Sequence, residues 1–179
     1  YTDMTAQGYF EYDSKKSRGL TISHLRFGQK PIRSTYYINK ADFVACHNPM
    51  YLHKYDMVQE LKDGGVFLMN CYWEDDNLME YLEEFVPENV KAYIANHNIK
   101  FYVIDAFRIG KEVGLNDKIS TILQAAFFKL ANVMPIEDAV QYMKDAATKS
   151  YSKKGMDVVE MNHKAIDAGA TAFVKIEVP

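Results

Sequence analysis

Apolar and polar residues alternate from Leu20 to Phe27, and a shorter apolar-rich segment runs from Tyr9 to Asp13, so the chain is expected to open with two neighbouring strands. Gly28-Gln29-Lys30-Pro31 then turns it. Three compact apolar runs follow, Asp42 to Cys46, Val66 to Cys71 and Phe101 to Asp105, each short and bounded by polar or turn-forming residues. Such runs predict strands buried on both faces. Between the first two, Leu52, Tyr55, Val58 and Leu61 recur every third residue. This spacing predicts a helix over Tyr51 to Lys62, ended by Gly64-Gly65. Asn77 to Phe85 and Glu88 to Asn96 read as helices, with Pro87 suited to begin the second because its fixed φ matches a first turn. Beyond Gly114 the period is helical over Ile119 to Ala131, Pro135 to Ala147 and Met156 to Ala168, and Thr171 to Val178 closes as a strand.

Strands alternating with helices through the first two thirds of the chain imply an α/β fold. The expected architecture is a three-layer α/β/α sandwich around a mixed, mostly parallel sheet, with the opening strand pair as its antiparallel component. One domain over residues 1–179 accommodates every element, and neither an internal repeat nor a low-complexity linker interrupts it.

Composition narrows the function. At 48% apolar and 25% charged residues the chain has the balance of a globular protein, which sets disorder aside. A net charge of -3 argues against general nucleic-acid binding. No apolar run approaches the roughly 20 residues that span a bilayer, so no membrane association is expected. The two cysteines, Cys46 and Cys71, form no Cys-x-x-Cys pair and suit a reducing cytoplasm.

The chemistry-bearing pattern with the clearest ligand preference is the turn from Tyr12 to Thr21. It holds Lys15 and Lys16 flanked by Ser14 and Ser17, with Gly19 allowing close backbone approach. Two ammonium groups beside hydroxyl donors suit a phosphate-bearing ligand, and a solvated basic hairpin tip is the plainer account of the same residues. Cys46, His47, His53 and Cys71 are spaced closely enough to raise metal ligation, but cysteines at strand ends read better as small buried hydrophobes. The acidic run from Glu74 to Asp76, and Asp105 after its strand, fit helix N-termini rather than a cation site. Phe127-Phe128 reads as packing. There is no dinucleotide fingerprint, and no Gly-x-Ser-x-Gly elbow or other nucleophile–base pair, so no residue is assigned a catalytic role and none a metal.

Tyr9 to Ser17, Thr21 to Gly28, Ala45-Cys46-His47-Asn48-Pro49, Gln124 to Ala131 and Lys153-Lys154-Gly155 together resemble the central, gamma domain of pyruvate:ferredoxin (flavodoxin) oxidoreductase, in order and over essentially the whole chain. The resemblance implies a piece of a large multidomain enzyme that oxidatively decarboxylates pyruvate and transfers the acetyl group to coenzyme A, passing electrons to ferredoxin or flavodoxin. Thiamine diphosphate and iron–sulfur clusters then belong to other domains, and the full enzyme is expected to be a homodimer. This domain is the one associated with coenzyme A, which enters as a substrate, and the isolated chain is not expected to catalyse.

Carried over residue by residue, the ligand-contacting lysine of the family matches Lys16, with Lys15 the alternative. An asparagine in the family's Arg-Ile-Asn segment corresponds to Ser120 of Lys118-Ile119-Ser120, a departure that leaves a shorter hydrogen-bonding group. A second asparagine matches Asn162 of Met161-Asn162. The usual doubled glycine after the lysine turn is here Arg18-Gly19. A glycine- and asparagine-bearing segment of the coenzyme A site is expected to lie before Tyr1, leaving an incomplete site. Two other readings stay open: a docking module in which Lys15 and Lys16 pair carboxylates of a neighbouring domain, and the same domain of an oxidoreductase for another 2-oxoacid such as 2-oxoglutarate.

Overall fold

In the computed structural model the described residues are 5–12, 21–28 and 40–178, apart from 75, 117 and 133, with 5–12 and 21–28 described by backbone alone. The chain divides into two compact units, Tyr1–Asn39 and Lys40–Pro179. In the first, β1 (Thr5–Tyr12) and β2 (Thr21–Gly28) form an antiparallel ribbon closed by the pair Tyr12 and Thr21.

The second unit carries the α/β fold in a single domain. Its four-stranded sheet has the order β3 (Ala41–Cys46), β4 (Leu61–Asn70), β5 (Lys100–Ile104) and β6 (Val174–Ile176). β3, β4 and β5 run parallel and β6 antiparallel. The antiparallel member of this sheet is therefore β6, whereas the opening strand pair makes a two-stranded sheet of its own.

Both faces of the sheet are covered, and strand periodicity sorts the residues between them. Successive side chains on a strand point to opposite faces. Phe67, Met69, Phe101 and Val103 enter one core with Leu82 of α1 (Leu78–Phe85) and Val90 and Ile94 of α2 (Glu88–Asn96). Leu68 and Ile104, their neighbours in sequence, enter the other. There they meet Ile109 of α3 (Ala106–Val113), Ile122, Leu123 and Ala126 of α4 (Ser120–Ala131), and Ala165 of α6 (Met156–Gly169). Burying each large apolar side chain contributes about 1.5–3 kcal/mol, which is why the short strands tolerate no polar residue on either face until their ends. Outside α4 and α6 lies α5 (Ile136–Tyr151), held through a third, alanine-rich cluster with Ala125, Ala147, Ile166 and Ala170. Among the described residues no helix is long and apolar enough to cross a membrane.

The segment from Tyr51 to Lys62 is not a helix of 3.6 residues per turn. It holds two 3-10 turns, Pro49–His53 and Val58–Glu60, and Leu61 already begins β4. A spacing of three is also the 3-10 period, and Leu52, Val58 and Leu61 are buried as that spacing requires. Gly64-Gly65 is likewise no helix terminator. The pair sits inside β4, where the register with β3 jumps from Ala41 opposite Leu61 to Phe43 opposite Val66. Gly64 takes φ +75° and donates its N–H to the His97 carbonyl at 2.9 Å, and a side chain on Gly65 would press on the Lys62 and Asp42 carbonyls. Both glycines serve a bulge.

Candidate functional site

The residues assigned to a ligand by sequence fall in three places. Lys15 and Lys16, with Arg18, belong to the segment joining β1 to β2 and lie outside the described residues. The strands on either side of that segment, β1 and β2, pair with each other. Ser120 is the first residue of α4 and exposed, following Ile119, which gives the helix no side-chain cap. Asn162 lies in α6, 3% exposed, with its Nδ2 donating to the Val158 carbonyl at 2.8 Å. α4 and α6 pack directly on each other. Among the described residues no hydrogen bond joins Ser120 to Asn162.

The other sequence candidates resolve by burial. Cys46 and Cys71 are free and buried, and burial pushes both thiols up to about 12. For Cys71 the negative charge of Asp105, and that of Cys46 when ionised, add to that rise, and for Cys46 a backbone hydrogen bond at Asn48 opposes it. The neutral Cys46 thiol donates to the Asn48 carbonyl at 2.9 Å. Neutral thiols are poor metal ligands and poor nucleophiles. Among the described residues no three His, Cys, Asp or Glu side chains converge as a metal-holding group. Phe127 packs edge-on against Phe43 at 5.0 Å, consistent with a packing role. Asp105 caps α3, accepting from the Arg108 N–H at 3.0 Å, as an acidic residue before a helix should.

What sequence reading passed over is how the segments leaving β3, β4 and β5 are joined at the carboxyl edge of the sheet. Asn70, the last residue of β4, is 1% exposed. Its Oδ1 accepts from the Ala106 N–H at 2.9 Å and its Nδ2 donates to the His47 carbonyl at 3.2 Å. The Cys71 N–H donates to the Ile104 carbonyl at 3.0 Å. One buried amide thus ties together the loops after three parallel strands. Beside it Asp105, also 1% exposed, has one oxygen in the helix cap, while its Oδ2 has no hydrogen-bond partner and lies 3.9 Å from Arg108 Nε. The Arg108 guanidinium rests over the Trp73 ring, 5.4 Å from its centroid. Only the spacing of polar residues at successive strand ends hints at this arrangement in the sequence.

Comparison with known proteins fixes the family. The model for pyruvate ferredoxin/flavodoxin oxidoreductase matches residues 1–172. The pyruvate:ferredoxin oxidoreductase of Moorella thermoacetica is 48% identical over 179 residues, which is 100% of this chain and 15% of that protein. The pyruvate-flavodoxin oxidoreductase of Enterobacter agglomerans is 48% identical over 178 residues, 99% of this chain and 15% of its own length. The chain therefore spans about 15% of the length of these curated relatives. In fold it is similar to the pyruvate oxidoreductase subunit PORC of Thermotoga maritima, with a TM-score of 0.69 at 16% identity, covering 97% of this chain and 83% of that one. It is also similar to the gamma subunit of a keto/oxoacid ferredoxin oxidoreductase from Geobacter sulfurreducens, with a TM-score of 0.58 at 19% identity over 93% and 78% of the two chains. Matched nearly end to end by the family model, the chain belongs to the pyruvate ferredoxin/flavodoxin oxidoreductase family.

Proposed function

We propose that this chain is the coenzyme A-associated gamma domain of an oxidoreductase that converts pyruvate, coenzyme A and an oxidised acceptor into acetyl-CoA, carbon dioxide and the reduced acceptor. The observation that carries this reading is the near-complete match to the family, at 48% identity to enzymes named for pyruvate with ferredoxin or flavodoxin. Thiamine diphosphate and the iron–sulfur clusters belong to other domains of that enzyme, and the reaction needs all of them. This domain's contribution is to hold coenzyme A, whose diphosphate and ribose phosphate match the lysines and hydroxyls of the turn between β1 and β2. In this role Lys16 is the phosphate contact and Lys15 its alternative, with Ser120 and Asn162 as further polar contacts.

The test is steady-state kinetics in the complete oxidoreductase. Lys16→Ala is expected to raise KM for coenzyme A about tenfold or more, the loss of one charge-assisted contact, while leaving KM for pyruvate unchanged. An unchanged KM for coenzyme A in Lys16→Ala and in the Lys15→Ala/Lys16→Ala pair would overturn the assignment and favour interdomain docking by the lysine turn.

A further inference from the structure

Exposed large apolar side chains are not spread evenly over the α/β unit. Of the seven among the described residues, Tyr142 lies on α5 and Met156 opens α6, and the other five gather at the carboxyl edge of the sheet. Met50 follows the end of β3, Tyr72 the end of β4 and Phe107 the end of β5. Met79 is in the first turn of α1. Val174 opens β6, which is antiparallel and starts where β5 ends, with Val174 opposite Val103. Tyr72 and Met79 are the barest of the five, at 63% and 59%. Neighbouring strands are about 4.8 Å apart, so the four strand ends span roughly 15 Å. Single exposed apolar residues need no explanation, whereas a group of them along one edge marks a contact surface.

Two further features suit this edge to a protein partner. It is braced from within: Asn70 joins the residues that follow β3 and β5, and His53 packs edge-on against Phe85 at 4.7 Å, holding the Pro49–His53 turn to the end of α1. A surface already fixed in shape loses little freedom on docking. It is also edged by acids. Glu74, Asp76 and Glu80 are exposed beside Tyr72 and Met79, and among the described residues no ion pair engages any of the three.

We propose that the carboxyl edge is a docking surface for a neighbouring domain of the same polypeptide, one that presents an apolar patch rimmed by lysine or arginine. This rests on the reading of the chain as one domain of a larger oxidoreductase, since it spans about 15% of the length of relatives 48% identical to it. Methionine and aromatic side chains are favoured at interface centres, and acids without partners call for a cationic rim opposite. A second copy of this chain answers that charge poorly. A two-fold contact about Tyr72 sets the surface against itself, acids facing acids.

Hydroxyl-radical footprinting tests the proposal directly, because methionine and aromatic side chains are among those it labels fastest. Met50, Tyr72, Met79 and Phe107 are expected to be labelled several-fold more slowly in the complete oxidoreductase than in the dilute 179-residue chain. Equal labelling in the two overturns the proposal. So does protection in the 179-residue chain that grows with its own concentration, which identifies a second copy as the occupant. Tyr72→Lys/Met79→Lys, at exposed positions, should leave the urea midpoint of the 179-residue chain almost unchanged and lower the melting temperature of the complete enzyme. An unchanged melting temperature counts against the docking surface. The kinetics of Lys16→Ala report separately on the functional reading. A raised KM for coenzyme A with an unprotected edge removes the docking surface alone, and a protected edge with an unchanged KM removes the coenzyme A role alone.

Discussion

At the scale of single residues, the decisive positions are polar groups buried where the parallel strands end. Asn70 occupies one, and its value lies in the Ala106 N–H it satisfies at the start of α3. Asn70→Ala leaves that buried donor unpaired, so a loss of about 1–3 kcal/mol is expected in urea unfolding of the chain. Cys46 and Cys71 occupy two others, and their raised pKa values link stability to pH. An unfolded thiol loses its proton near 9.0, whereas the folded ones keep theirs to about 12. Between those limits the folded state binds more protons, so the thiols' contribution is whole below pH 9 and is lost as pH rises from 9 toward 12. Each thiol removes up to about 1.4 kcal/mol per pH unit in that window. Other groups titrate there too, so the measurement is a difference: the decline in unfolding free energy between pH 8 and pH 10.5 should be shallower in Cys46→Ala/Cys71→Ala than in the parent. Equal slopes would show that burial does not hold the thiols neutral.

At the scale of elements, legibility followed the strength of the local signal. Short apolar runs placed β3 and β5 within a residue or two, because a strand buried on both faces has almost no polar residue to blur its limits. Glu88–Asn96 was likewise set off by Pro87. The segment around Leu52 and Val58 was misjudged because a period of three fits a helical face and a 3-10 turn alike, and Gly64-Gly65 because a glycine pair marks a bulge as readily as a helix end. What no local pattern displays is how closely elements approach. α4 and α6 meet at Gly169, where an added Cβ would collide with the Ile122 carbonyl and touch the Ala125 side chain. Gly169→Ala must push the two helices apart, and an overpacking cost of about 1–3 kcal/mol is expected in urea unfolding. Gly64→Ala is the comparison: its Cβ meets nothing within 4 Å, so only the positive φ opposes it, at about 1–2 kcal/mol. If Gly169→Ala were neutral, the helix contact would be compliant rather than close-packed.

At the scale of the whole chain, Lys15 and Lys16 belong by sequence to the unit Tyr1–Asn39 and the α/β fold to the unit Lys40–Pro179. The candidate site was legible in sequence only as a ligand chemistry, two lysines among hydroxyls, because the parts assigned to it by resemblance lie far apart in the chain: Lys16 before β2, Ser120 opening α4 and Asn162 inside α6. Asp105 Oδ2 was invisible for the opposite reason, since an N-cap acid is recognisable from its neighbours but the fate of its second oxygen is set by side chains brought in by folding. The three clusters of buried apolar residues are built from positions 43 to 178. With both faces of the sheet covered by its own helices, residues 40–179 are expected to unfold as one cooperative transition when expressed without the first unit. The shortened chain lacks Lys15 and Lys16, so calorimetric titration with coenzyme A should give markedly weaker binding than the 179-residue chain. A shortened chain that binds a dye for exposed apolar surface and melts without a transition would show that the α/β unit needs residues 1–39 to close its cores. Unchanged coenzyme A affinity in a well-folded shortened chain would instead move the phosphate contacts away from the lysine turn and onto the helices that carry Ser120 and Asn162.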